Sequence, residues 1–176
     1  MGVADRLLRR TPAPAGALGA LEADEVSLAV AELREGHLVA TTRGLWVPDD
    51  SGPLRVPWHL VSRATWDGRT LELTVSEQTG TAGAAVLLAD VARRSYVPTQ
   101  PGTLPRVVND RVTATVRSSH HRRLPGGGAW FVQRSVPGTD GVILQVRVEP
   151  GTDIDVVRDV AAAVASQLPR HDGFPT

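Results

Sequence analysis

From residue 26 onward the chain alternates short apolar stretches with turn residues, at the spacing of an antiparallel barrel or sandwich. Strands are predicted over 26–33, 37–42, 45–47, 54–58, 61–66 and 70–75. Between the last two, Asp67-Gly68 supplies the positive φ that a tight hairpin requires. In the strand that follows, Leu71, Leu73 and Val75 alternate with Glu72, Thr74 and Ser76, which predicts one buried and one wet face. Residues 86–88 and 95–97 are shorter strand candidates, and 84–94 has a short helix as its alternative.

Thr103 is a candidate cap for a helix over 104–116, with Pro105 in the first turn, where its missing N–H is harmless. Leu104, Val107, Val108, Val112, Ala114 and Val116 share one arc of that helix. Residues 111–117 also alternate with period two and are rich in β-branched side chains, so a strand competes there. A meander of strands over 117–124, 129–135 and 142–149 comes next, turning at 125–128 and 137–141. In its last strand Val142, Leu144, Val146 and Val148 form the core side, opposite a largely polar side of Ile143, Gln145, Arg147 and Glu149. A final helix over 154–168 buries Val156, Val157, Val160, Val164 and Leu168 and ends at Pro169.

The fold class is therefore α+β and β-rich. Residues 1–23 read as a flexible tail, 24–117 as a barrel domain, and 118–176 as a strand-helix unit added to the same core. A chain of 176 residues can build such a core without staples, and with no cysteine it has neither a disulfide nor a thiolate zinc site. Net charge is zero, so the total points to neither a nucleic-acid binder nor a polyanion. The apolar runs 84–89 and 160–165 are far too short to cross a bilayer, and residues 1–10 have no signal-like apolar stretch. A cytoplasmic protein is expected.

The stretch Gly36 to Val47, followed by Val56-Pro57-Trp58-His59 and Ala64-Thr65-Trp66-Asp67-Gly68, resembles small bacterial proteins with a pleckstrin-homology-like barrel. Residues 104–114 resemble a segment of uncharacterised actinobacterial proteins. The resemblance implies seven strands closed by the helix at Leu104. It brings no activity with it, and the meander and second helix after Arg117 are a departure from it.

Charge is uneven along the chain. Between Arg106 and Arg134 six arginines face the single Asp110. Arg117, His120, His121, Arg122 and Arg123 form an arm beside Gly126-Gly127-Gly128, and guanidinium groups there suit phosphate or carboxylate. The plainer reading is a solvated hairpin with a loose glycine turn. Adjacent histidines on a strand point to opposite faces, so His120 and His121 are poor partners for one metal ion. Neither a Gly-x-Ser-x-Gly elbow nor a phosphate loop is present, and no cofactor is implied. Trp46, Trp58, Trp66 and Trp130 are expected in the core. Arg111 falls inside the apolar arc of its helix, where it would pair with Glu32 or Glu72, reach an anion in a cleft, or extend its head to water. The expected function is a non-catalytic module that binds a protein partner through the arm. Its rivals are an enzyme with a small-molecule or anion pocket near Arg111 and a weak nucleic-acid binder through 106–134.

Overall fold

The computed structural model describes residues 11–139 and 141–168. Strands β1 (Ser27–Glu32), β2 (His37–Thr41), β3 (Gly44–Val47) and β4 (Leu54–Pro57) form an antiparallel sheet in chain order. A single turn of 3-10 helix, Trp58–Leu60, leads into a second, six-stranded sheet. Its strands are β5 (Val61–Trp66), β6 (Leu71–Ala82), β7 (Ala85–Tyr96), β8 (Val116–Leu124), β9 (Gly127–Ser135) and β10 (Val142–Val148). Their order is β5-β6-β7-β10-β9-β8. All neighbours are antiparallel except β10 and β7, which run parallel with Leu144 opposite Ala85 and Arg147 opposite Leu88.

The turn into β6 forms as the sequence requires: Gly68 has φ 97°, and Asp67 Oδ1 accepts from the Thr70 N–H at 2.6 Å and the Arg69 N–H at 2.8 Å. The helix alternative for 84–94 is overturned. Residues 85–94 lie inside β7, hydrogen-bonded to β6 on one side and, over 85–88, to β10 on the other, so sheet pairing overrides the short helical pattern. Helix α1 (Leu104–Thr115) buries Leu104, Val108 and Val112 at four-residue spacing, with Pro105 in its first turn. Thr103 occupies the cap position, yet its side chain makes no capping bond. The competing strand pattern is realised only from Val116, where β8 begins without a linker. Helix α2 (Ile154–Gln167) starts at Asp153, whose carboxylate accepts from the backbone of Asp155 and Val156, and it buries Val157, Ala161 and Ala165.

Two large apolar cores and a small third cluster result among the described residues. The first joins β1–β5, the start of β6 and α1 around Trp58, Leu38, Leu45, Leu73 and Leu104. The second lies under α2, where Ala85, Leu87, Phe131, Leu144 and Val146 meet Val157 and Ala161. The added strand-helix unit thus builds a core of its own on the far halves of β6 and β7. Within the segment read as a tail, Thr11 and Ala17 make contacts with the first sheet: the Thr11 N–H donates to the Ser27 carbonyl, and Ala17 packs with Val39 and Trp46. Residues 1–10 lie outside the described residues. Among the described residues no helix is long and apolar enough to cross a membrane.

Candidate functional site

Strand β9 carries apolar residues on both faces, and that decides where the site forms. Ala129 and Phe131 face α2, while Trp130, Val132 and Arg134 face the opposite side. Across the ladder from them stand Arg147, Gln145 and Ile143 of β10. Part of that face is covered. The 3-10 turn and the start of β5 lie across it, fastened by side chains of the sheet. Arg134 Nη1 donates to the carbonyls of Trp58 at 3.1 Å and Val61 at 3.0 Å, and Gln145 Nε2 donates to the His59 carbonyl at 2.9 Å. The largely polar side expected on β10 is found, but the chain folds back over it and leaves Gln145 fully buried.

Between this cover and the sheet runs a cleft of about 840 Å³. Arg134 and Arg147 are in its wall, Val116, Val132 and Val148 give it apolar surface, and Asp90, Glu149 and Trp130 also line it. Arg134 is 2% exposed, and its Nε has no hydrogen-bond partner. Arg147 has both Nε and Nη2 buried and unpartnered. Among the described residues neither guanidinium forms an ion pair. Burial, and then the positive charge of Arg147, push Arg134 down to about 10. Burial also lowers Arg147, against the opposing pull of Asp90, whose carboxylate accepts the Ser76 hydroxyl at 2.6 Å. His59, beneath Arg134, is lowered by burial and then by that guanidinium. Two cations thus sit together in poorly solvated surroundings, with donors left over.

The residues singled out from sequence are placed differently. Arg117, His120, His121, Arg122 and Arg123 lie along β8, an edge strand, and are exposed. Arg122 lies over the Phe131 ring, and His121 reaches the rim of the cleft, with Nε2 3.0 Å from Glu149 Oε1 and its ring 5.0 Å from that of Trp130. Arg111 is half-buried on α1, lowered by burial, and outside the cleft wall. It pairs with neither Glu32 nor Glu72. Trp58 and Trp46 are core residues, whereas Trp130 is 45% exposed. Sequence reasoning missed Arg134 and Arg147. The signal available was β9 itself, where Trp130 and Val132 alternate with Ala129 and Phe131, so that both faces demand cover.

Two other depressions exist, one beside Trp66 and Pro105 and one between Ala17 and Pro48. Neither is lined by an unpartnered buried polar atom. Among the described residues no three histidine or carboxylate side chains gather as metal ligands. No family model, curated protein or solved structure matches the chain.

Proposed function

We propose that the protein is a binding module that holds a carboxylate or phosphate group between Arg134 and Arg147. One observation carries this reading: Nε and Nη2 of Arg147 are buried and free together. These two donors lie along one edge of the guanidinium plane and match the two oxygens of an oxyanion side by side. Leaving such donors unmatched costs about 1–3 kcal/mol each, so an anion that engages them gains what the apo fold forgoes. Strands β1–β7 and α1 serve in this reading as a pleckstrin-homology-like barrel, a description supported by four strands, then three, then a helix packed beside them. The β8 arm keeps an open edge that suits a protein partner, but its charged groups are solvated, and the cleft makes the stronger chemical demand.

The test is thermal denaturation and calorimetric titration with inorganic phosphate and with pentanoate, against chloride at equal ionic strength. Wild-type protein is expected to bind one or both and to melt higher when bound. Arg147→Met is expected to lose that response while melting at or above the wild-type temperature, because a partly buried cation with two unpartnered donors has been replaced by apolar volume. Arg122→Ala with Arg123→Ala should leave it intact. No response beyond the chloride control, or an unchanged response in Arg147→Met, would sink the reading.

A further inference from the structure

The cleft holds more than cations. Gln145 and Arg147 share one face of β10, and Glu149, just past the end of the strand, continues its ladder by donating its N–H to the Gly128 carbonyl at 3.0 Å, so it stands about 6.6 Å from Arg147 at roughly 3.3 Å per residue. The last paired residues of β10 and β7 are Arg147 and Leu88, two positions before Glu149 and Asp90 respectively. Both carboxylates line the cleft, and so does the half-exposed indole of Trp130. One end is therefore cationic and deep, with Arg134 2% exposed and its Nε unpartnered, and the other carries Asp90 and Glu149, the latter 3.0 Å from His121 Nε2, with Arg63 also in the lining. A simple anion at Arg147 would be repelled by both carboxylates. A cation carried by the same molecule would remove that penalty, since Asp90 and Glu149 attract it electrostatically and the indole face adds a cation–π contact.

Resting on the anion-binding reading above, we propose that the ligand is a zwitterion: an oxyanion held by Arg134 and Arg147, joined through a short apolar linker to an ammonium group held by Asp90, Glu149 and Trp130. The valines Val116, Val132 and Val148 give the linker its apolar wall. The spacing suits a linker of about four methylenes, matching the roughly 6.6 Å between Arg147 and Glu149.

The probes are 5-aminopentanoate, pentanoate and pentylamine, titrated into the full chain and into Asp90→Asn and Glu149→Gln, with folding checked by thermal denaturation. 5-Aminopentanoate is expected to bind about tenfold more tightly than pentanoate, a difference of about 1.4 kcal/mol. Each variant should narrow that gap to about threefold or less, with pentanoate binding unchanged or tighter. Pentanoate equal to or tighter than 5-aminopentanoate overturns the zwitterion and leaves the anion site standing. Binding of pentylamine alone, as tight as 5-aminopentanoate, overturns both, as does a lack of response to all three probes and to phosphate.

Discussion

Glu25 and Arg147 are treated in opposite ways by the same fold. The Glu25 side chain is buried, and it accepts from the Thr41 hydroxyl at 2.6 Å, Trp46 Nε1 at 2.9 Å, Arg55 Nη1 at 2.5 Å and the Glu22 N–H at 3.2 Å. Burial raises this carboxyl, but the hydrogen bonds together outweigh burial and hold it below its ordinary value of 4.5. A carboxylate depressed in the fold contributes stability above its unfolded value, and that contribution is lost as pH falls through the folded one. Wild-type protein should therefore lose stability on acidification below the ordinary value. Glu25→Gln should be less stable near neutrality by about 1–3 kcal/mol and show a flatter acid limb in melting temperature against pH. Parallel acid limbs for the two proteins would remove Glu25 from this role. Glu25 thus has four donors of its own, whereas the Arg147 fork has no protein acceptor, and that contrast separates a structural charge from a candidate for binding.

At the scale of elements, the β8–β9 connection is tighter than a triple glycine suggests. Leu124 pairs with Gly127, and the loop rests on the β10–α2 turn, where the Thr152 hydroxyl is 2.9 Å from both the N–H and the carbonyl of Gly128. Gly126 has φ 82°, and a Cβ there would lie 2.2 Å from the Gly151 carbonyl oxygen. Gly126→Ala should destabilise by about 1–3 kcal/mol, read as a fall in denaturation midpoint, and a neutral result would mean that the loop is not held there. Periodicity found most strand positions and both helices, because each of those segments buries one face in one core. It stopped near Val75 for a physical reason. Strand β6 has register shifts at Val75/Ser76 and Gln78/Gly80, so Leu71 and Leu73 enter the first core and Ala82 the second. A strand that changes cores midway shows no continuous alternation. The cleft was illegible for a related reason: the polar face of β10 looks solvated until a 3-10 turn some 86 positions earlier folds over it, as the Gln145 to His59 bond records.

Among the described residues the two larger cores share one long hairpin and are bridged across the cleft by Arg134 and Gln145. Apolar contact within each core is extensive, whereas the bridge consists of a few side-chain bonds to carbonyls. Opening of the second core should therefore take less free energy than global unfolding. Val157, the fully buried residue of α2's first turn, belongs only to that second core. Val157→Ala is expected to accelerate amide hydrogen exchange in α2, β9 and β10 more than in β2 and β3. Equal acceleration everywhere would mean that the two cores open as one unit. An anion at Arg134 and Arg147 bears on the same equilibrium from the other side. It contacts the strands of the second core at the point where they hold the 3-10 turn of the first, so it should slow exchange in β10 and in residues 58–63 together. If a binding anion protects β10 alone, the cleft lies within one half, and Arg134 has no part in joining them.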